Sequence, residues 1–236
     1  MTTSTKILVI VAGTNDPSNS NTLADHFIEG CKQVHGVSFE KIRLRELNLQ
    51  HFSVDCYSGA CSTEPDFLRI KSLIQDAHGV VIATPIWNFS VPAHLKNLID
   101  RMGVFGLDSE THSKGTFGGK PFGLIFTGGA PMIAWKALMY LTTLHVAEAI
   151  KYYGGTVILR HFEPKCTPGK GIFGMVVDKR PDSLALMKKH GKQFAHSAQI
   201  FATSSKLPTR EQLHHKAFEF LYRIGNRIMY PISERQ

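Results

Sequence analysis

GVVIATPIWNFSVPAHLKNLID, residues 79–100, predicts a strand, a turn and a helix in immediate succession. Residues 79–85 are nearly all apolar, which is typical of a strand buried on both faces of a parallel sheet. Ser90 is a suitable N-cap for the helix, and Pro92 suits its first turn. Beyond the turn, apolar side chains recur on one helical face, at Val91, Leu95, Leu98, Ile99 and Met102. The stretch therefore predicts one strand–turn–helix unit of an α/β domain.

The same alternation of strands and helices runs through the rest of the chain. Strands are predicted at 6–13, 37–44, 79–85, 121–129 and 156–162. Besides the helix after Pro92, helices are predicted at 21–34, 66–76, 131–153 and 181–201. Five strands that alternate with helices indicate a parallel sheet covered by helices on both faces.

A further amphipathic segment follows at 209–230. Thr209 and Gln212 have capping-box spacing. Apolar residues fall on one helical face: Leu213, Ala217, Phe220, Leu221, Ile224 and Ile228. Basic residues lie off that face: Lys216, Arg223 and Arg227. We interpret the segment as an added helix that packs on the core or on a second subunit, with a membrane-surface helix as the alternative. The predicted division is a sheet domain at 1–204 and a helical extension at 205–236.

Composition excludes several other classes of protein. The 236 residues are 43% hydrophobic and 19% charged, as in an ordinary globular protein. The net charge is +8, but lysines and arginines are scattered, so we expect no nucleic-acid binding. No apolar run approaches the roughly 18 residues of a membrane span. The apolar part of the N-terminus is too short for a signal peptide, so a cytoplasmic location is expected.

Three turns of unusual composition follow strands one, three and four, and the carboxyl ends of parallel strands share one edge of a sheet. Residues 13–24 are rich in hydroxyl and amide side chains and lead into a helix, which suits a phosphate or an ordinary cap. Residues 85–90 carry Trp87 and Phe89, which either pack a flat ligand or fill core. Residues 127–130 have paired glycines, which allow close approach to a ligand or a turn of positive φ.

PIWNFSVPAHLKNLID, residues 85–100, resembles the NAD(P)H-dependent FMN reductases and the related multimeric flavodoxins and iron–sulfur flavoproteins. Their shared pattern is close to P-x-Y-N-x-S-x-P-x-x-L-K-N-x-I-D. Matching positions are Pro85, Asn88, Ser90, Pro92, Leu95, Lys96, Asn97, Ile99 and Asp100, with Trp87 in place of the usual tyrosine. SNT at 20–22 and TGG at 127–129 resemble two further loops of the family. The resemblance implies a flavodoxin-like, doubly wound, five-stranded parallel sheet of order 2-1-3-4-5, with an added C-terminal helix.

The same resemblance implies FMN as cofactor and assigns its contacts to the three turns. The phosphate would be held by Thr14, Ser20, Asn21 and Thr22. The isoalloxazine would be lined by Pro85, Ile86, Trp87, Asn88, Phe89 and Ser90. Its other rim would meet Thr127, Gly128 and Gly129.

The implied reaction is a ping-pong transfer of hydride from NAD(P)H to FMN and then to a small acceptor, such as a quinone or a flavin. Because the flavin does the chemistry, no catalytic side chain is expected. A homodimer or homotetramer is the expected assembly. An alternative is a flavodoxin-like electron-transfer module that docks on a protein partner without NAD(P)H turnover. Such modules suit basic partners through an acidic surface, so the net charge of +8 favours the reductase.

The phosphate loop departs from the family at Asp16, where an arginine is frequent. A carboxylate close to a phosphate dianion is unfavourable unless it turns outward. Asp16 therefore leaves open a third interpretation, in which the chain is a flavin-free scaffold whose site has decayed.

Two cysteines, Cys56 and Cys61, follow the second predicted strand. Two thiolates cannot complete a four-cysteine iron–sulfur cluster, and a zinc site with His51 would need a fourth ligand. No metal is therefore expected. We expect free thiols near the flavin, with a reversible Cys56–Cys61 disulfide as the alternative.

Overall fold

The computed structural model describes residues 4–207 together with Leu213, Lys216, Ala217, Phe220 and Ile224. In this part of the chain five strands form one sheet of order β2-β1-β3-β4-β5. The strands are β1 Thr5–Val11, β2 Val37–Arg43, β3 Gly79–Pro85, β4 Pro121–Thr127 and β5 Thr156–Glu163. All four strand pairs are parallel. The predicted flavodoxin-like sheet order is confirmed.

Helices cover both faces of the sheet. They are α1 Asn19–Cys31, α2 Pro65–Asp76, α3 Ala93–Gly106, α4 Met132–Ala134, α5 Tyr140–Thr142, α6 Leu144–Tyr152 and α7 Pro181–Ser204. One core lies between the sheet and α1 with α7, and contains Phe27 and Phe194. The other lies beneath α2, α3 and α6, and contains Phe67 and Leu98. Alternate residues of β1 enter the two cores, which explains the uninterrupted apolar run of this strand.

The helix predicted at 131–153 is interrupted, so that prediction is wrong in detail. A five-residue π-helical turn, Trp135–Met139, separates α4 from α5. Thr143 then separates α5 from α6, and its hydroxyl donates to the carbonyl oxygens of Met139 at 3.2 Å and Tyr140 at 3.1 Å. Such back-bonding by threonine competes with the regular helical ladder. Gly154, with φ of 83°, follows the end of α6, and a glycine in this left-handed conformation is a common helix stop.

The expectation of free thiols at Cys56 and Cys61 is wrong, because the two residues form a disulfide with their Cα atoms 4.9 Å apart. Gly59 lies between two 3₁₀ turns, Val54–Ser58 and Ala60–Thr63. Its left-handed backbone, with φ of 97°, turns the chain so that the two cysteines approach. Among the described residues, no group of three or more histidine, cysteine or acidic side chains is placed to hold a metal ion.

Two residues of α3, Asn97 of the family motif and its neighbour Arg101, anchor the segment before α2. The Asn97 side chain accepts from the Phe52 amide at 2.8 Å and donates to the Gln50 carbonyl oxygen at 2.9 Å. Arg101 is fully buried, donates to the same carbonyl oxygen at 2.5 Å, and has Nη2 2.8 Å from a Glu64 carboxylate oxygen. Asn97 and Arg101 therefore have a structural role away from the three turns.

Most of the helix expected at 209–230, including Thr209 and Gln212, lies outside the described residues. The five described residues of this region are helical, and Leu213 and Phe220 are exposed. No helix in the described part of the chain is long and apolar enough to cross a membrane. α7 ends at Ser204. The division into a sheet domain at 1–204 and a helical extension at 205–236 stays a prediction.

Two glycines allow α1 and α7 to touch backbone to backbone. A Cβ atom on Gly191 would fall on the carbonyl oxygen of Phe27, and one on Gly30 would fall on that of Lys188. Neither obstacle is a flexible side chain that could move aside. We predict that Gly191→Ala lowers the free energy of unfolding by about 3 kcal/mol or more, because the helices must separate.

Urea unfolding followed by circular dichroism measures this loss. Lys192→Ala, at the exposed neighbouring position, serves as the control and should change stability by less than about 0.5 kcal/mol. Equal stability of Gly191→Ala and wild type would contradict the close helix contact.

Candidate functional site

The turns after β1, β3 and β4 meet at one edge of the sheet because backbone hydrogen bonds continue beyond the strands. The Ala12 amide donates to the Ala83 carbonyl oxygen at 2.8 Å. The Ile86 amide donates to Thr127 at 2.7 Å, and the Gly128 amide donates to Glu163 at 3.1 Å. Each turn is thereby held against the next strand.

A cleft of about 60 Å³ lies between these turns and the segment after β5. Its walls come from four parts of the chain: Gly13, Asn15, Ser18, Asn19, Ser20, Pro85, Ile86, Trp87, Thr127, Gly128, Gly129, Cys166, Thr167, Phe173 and Gly174. The predicted residues Ser20, Pro85, Ile86, Trp87, Thr127, Gly128 and Gly129 are among them. Bringing the three turns together in one cleft is the arrangement that the sequence pattern indicates.

The first turn presents two buried hydroxyl groups at the start of α1. Ser18 is the N-cap, and its Oγ accepts from the Asn21 amide at 3.3 Å and lies 3.1 Å from Oγ of Ser20. A Cβ atom on Gly13 would overlap both hydroxyls, so a glycine is needed here. Hydroxyls beside a helix N-terminus form a donor set suited to an anion without any lysine.

The other residues predicted to bind phosphate are turned to different partners. The Asn21 amide group donates to Asp25 at 3.1 Å and accepts from Lys41 at 3.2 Å. The Thr22 hydroxyl donates to the Ser18 carbonyl oxygen at 3.1 Å. Sequence reasoning missed Ser18 because it began α1 two residues too late; a start at Asn19 identifies Ser18 as the cap.

Asp16 is not among the residues that line the cleft, and it pairs with two arginines, Arg43 at the end of β2 and Arg45 just after it. Its carboxylate accepts from Arg43 at 3.2 Å and from Arg45 at 2.9 Å, and these hydrogen bonds lower the pKa of Asp16. The arginines also donate to the loop carbonyl oxygens of Asn15 at 3.1 Å and Thr14 at 2.6 Å. Two guanidinium groups against one carboxylate leave the outside of the turn after β1 positively charged.

The second turn is a two-residue hairpin. Trp87 and Ser90 exchange backbone hydrogen bonds of 2.8 and 2.9 Å. Between them Asn88 and Phe89 have φ of 49° and 66°, a left-handed conformation that is rare for an aromatic residue. Trp87 lines the cleft, whereas Phe89 is 60% exposed.

The proposed N-cap of α3 is therefore wrong. Ser90 closes the hairpin, and the helix begins at Ala93 with Pro92 in the cap position. The hairpin uses the backbone groups of Ser90, and Pro92 fits the cap with φ of −56°.

The glycines of the third turn allow close packing of protein side chains. A Cβ atom on Gly128 would lie 2.9 Å from the Phe162 ring, and one on Gly129 would lie 3.2 Å from Thr167. Phe162 in turn stacks on Trp135 with ring centroids 4.3 Å apart. The paired glycines thus set the backbone of this turn directly against β5 and the segment that follows it.

A buried carboxylate anchors the end of β5. Glu163 accepts from Arg180 at 2.7 Å and from Ser183 at 3.0 Å, and lies 3.4 Å from Nε2 of His161. Burial alone would raise the pKa of Glu163, but hydrogen bonds from His161, Arg180 and Ser183 outweigh it and lower that pKa. Close by, burial raises the pKa of the Cys166 thiol to about 12. Cys166 therefore contributes a neutral wall rather than a nucleophile.

Comparison with known proteins identifies a family for most of the chain. Residues 5–163 match the family model of the NADPH-dependent FMN reductases. An FMN-dependent NADH:quinone oxidoreductase of Coprothermobacter proteolyticus is 27% identical over 167 residues, 63% of this chain and 81% of that protein. One from Pseudomonas syringae pv. tomato is 31% identical over 129 residues, 48% of this chain and 64% of that protein.

Solved structures share the fold. An NAD(P)H:quinone oxidoreductase from Methanothermobacter marburgensis superposes with a TM-score of 0.60, over 80% of this chain and 96% of that one. At 18% sequence identity, this likeness supports the architecture alone. It agrees with the sheet order described above.

We predict that the hydrogen bonds of Glu163 with Arg180, Ser183 and His161 contribute to stability in a pH-dependent way. Because the native pKa lies below the unfolded one, the contribution is complete above the unfolded pKa and is lost as pH falls through the native pKa. Glu163→Gln should lower the free energy of unfolding by roughly 2 kcal/mol at pH 7. The difference from wild type should shrink below about pH 4.5, the ordinary value for glutamate.

Urea unfolding at a series of pH values measures both effects. Glu148→Gln, at a partly exposed carboxylate of α6, is the control and should change stability by less than about 0.5 kcal/mol. A wild-type advantage that stays constant down to pH 3 would contradict the assignment.

Proposed function

Since the chain belongs to the NADPH-dependent FMN reductase family, we propose that it is an FMN-dependent NAD(P)H oxidoreductase whose acceptor is a quinone. The observation that carries this proposal is the convergence of three turns on one cleft with a polar end and an apolar wall. The quinone is taken from the names of the relatives in Coprothermobacter and Pseudomonas.

The chemistry of the donor set fits the phosphate of FMN. Ser18 and Ser20 place two buried hydroxyls beside the N-terminus of a 13-residue helix, and helix N-termini favour anions. Arg43 and Arg45 add positive charge outside the loop. We propose that Ser18 and Ser20 hold the phosphate, and that the remaining loop residues shape the site: Thr14, Asn21 and Thr22.

The apolar wall fits the flat ring system of the same cofactor. We propose that the ring lies against Pro85, Ile86 and Trp87, with Thr127, Gly128 and Gly129 at its other rim. In this arrangement the hairpin residues Asn88, Phe89 and Ser90 lie at the entrance of the cleft. The neutral Cys166 thiol keeps this region free of charge.

Bound FMN would supply the redox chemistry, taking hydride from NAD(P)H and passing two electrons to the acceptor in ping-pong order. The residues of the chain bind, orient and exclude water. No acid or base is required of them, in keeping with the protonated state of Cys166 in the cleft wall.

We propose that Asp16 is compatible with a bound phosphate, because its carboxylate is paired with Arg43 and Arg45. The expected homodimer or homotetramer stays a prediction. Exposed apolar side chains after β4 support it, since Ile133, Leu138 and Leu141 are 78%, 55% and 62% exposed.

Anaerobic titration of the FMN-loaded protein tests the function. We expect the yellow protein to bleach within one turnover on addition of NADH or NADPH, and a water-soluble benzoquinone to restore the colour. Colour that persists with both nicotinamides would favour the electron-transfer module. Protein that takes up no FMN would overturn the proposal.

A single substitution tests the phosphate position. Ser20→Ala removes one buried hydroxyl from the polar end and should raise the Kd for FMN about tenfold, because hydrogen bonds to charged groups are worth roughly 1.5–3 kcal/mol. Quenching of FMN fluorescence measures Kd. Ser197→Ala is the control, since its hydroxyl bonds within α7 to Gln193. Equal affinity of Ser20→Ala and wild type would show that the phosphate lies elsewhere.

A further inference from the structure

The segment after β5, residues 164–177, crosses the cleft, and we name it the strap. It begins one residue beyond the part of the chain that matches the family model. At one end the Cys166 amide donates to the Gly128 carbonyl oxygen at 2.8 Å, and the Lys165 amide donates to that of Ala130 at 3.0 Å. At the other end it reaches the start of α1. The strap therefore joins the third turn to the first.

One side chain, Asn19 at the start of α1, binds both ends of the strap. Its Nδ2 donates to the carbonyl oxygens of Gly174 at 2.8 Å and Cys166 at 3.3 Å. Its Oδ1 accepts from the amides of Val176 at 2.9 Å and Val177 at 3.1 Å. An asparagine side chain has two N–H donors and one oxygen with two acceptor sites. All four are used on the strap.

The tip of the strap is exposed, whereas its ends have further anchors. Val177 is fully buried in the core between the sheet and α1 with α7, and Arg180 donates to the carbonyl oxygens of Pro164 and Lys165, both at 2.7 Å. Between these ends Ile172 and Phe173 are 58% and 75% exposed, and Gly171 has φ of 71° in an open turn. A contact of 3.6 Å between the Thr22 hydroxyl and Sδ of Met175 adds a weak hydrogen bond near Asn19. Segments with few buried contacts open at low cost in free energy, so loss of the Asn19 bonds should free the exposed tip.

The strap also limits the space available to a ligand. The cleft beneath it measures about 60 Å³, against roughly 300–1,000 Å³ for sites that hold drug-sized ligands. Cys166, Thr167, Phe173 and Gly174 of the strap line it. We infer that these residues move outward to make room for a molecule of the size of FMN.

We propose that Asn19 is a positioning residue that holds the strap across the cofactor site and thereby sets the rates at which FMN enters and leaves. The proposal rests on the proposed function. It assigns Asn19 no contact with the reacting atoms. The role can be recognised from kinetics. Loss of a residue that holds the strap should raise both the association and the dissociation rate constants of FMN, whereas loss of a direct ligand of the phosphate should raise the dissociation rate constant alone.

Stopped-flow fluorescence with free FMN tests the proposal. In Asn19→Ala we expect the association and dissociation rate constants both to rise about tenfold, while Kd changes less than threefold. Gln199→Ala is the matched control. Gln199 lies on α7, and its side-chain amide likewise donates to a backbone carbonyl oxygen, that of His35 at 2.8 Å, but away from the strap. It should leave both rate constants within twofold of wild type.

Limited trypsin digestion of the FMN-free protein gives a second readout, at the exposed Lys170 of the strap. Cleavage after Lys170 should be at least fivefold faster in Asn19→Ala than in wild type. Should Asn19→Ala fail to fold, Asn19→Asp keeps the acceptor oxygen for Val176 and Val177 and loses both donated bonds. It should show the same faster cleavage.

The outcomes separate this proposal from the one on which it rests. Wild type that takes up no FMN would overturn both. Wild type that binds FMN, with unchanged rates and cleavage in the Asn19 variants, would overturn only the role of Asn19. A rise in dissociation alone would make Asn19 a direct ligand and would also overturn it.

Discussion

Backbone hydrogen bonding beyond the ends of the parallel strands is the constraint on which the cleft depends. The bonds from Ile86 to Thr127, from Gly128 to Glu163 and from Cys166 to Gly128 carry the ladder past the last regular residue of each strand. Turns that are distant along the chain are thereby fixed at one height on the sheet edge. The backbone thus sets the positions of these three turns, whereas the fourth wall, the strap, depends on the side chain of Asn19.

The sheet could be predicted because its central strands are apolar on both faces. The runs in β1, β3 and β4 have no other explanation in a chain of this composition, and their bounds are within two residues of those expected. The order of the strands came from the resemblance of residues 85–100 to a family. The break after β4 escaped prediction because apolar periodicity does not register the back-bonding of Thr143.

The candidate site was partly predictable for a geometric reason. Turns at strand ends can be predicted from sequence, and three of the residues predicted in them, Ser20, Trp87 and Gly128, line the cleft. The strap could not be predicted from the sequence. Asn19 bonds to residues more than 140 positions away, and local residue spacing carries no information about such a contact. Asn19 and Asn21 look equivalent in sequence, yet two residues rotate a side chain by about 200° on a helix. One therefore faces the strap and the other faces Lys41.

The backbone contact between α1 and α7 has a mechanical consequence. With Gly30 and Gly191 removing the usual layer of side chains, neither helix can slide or roll without steric collision with the other. Because α1 starts at Asn19, beside the cleft, the contact with α7 also fixes where the polar rim stands relative to the sheet.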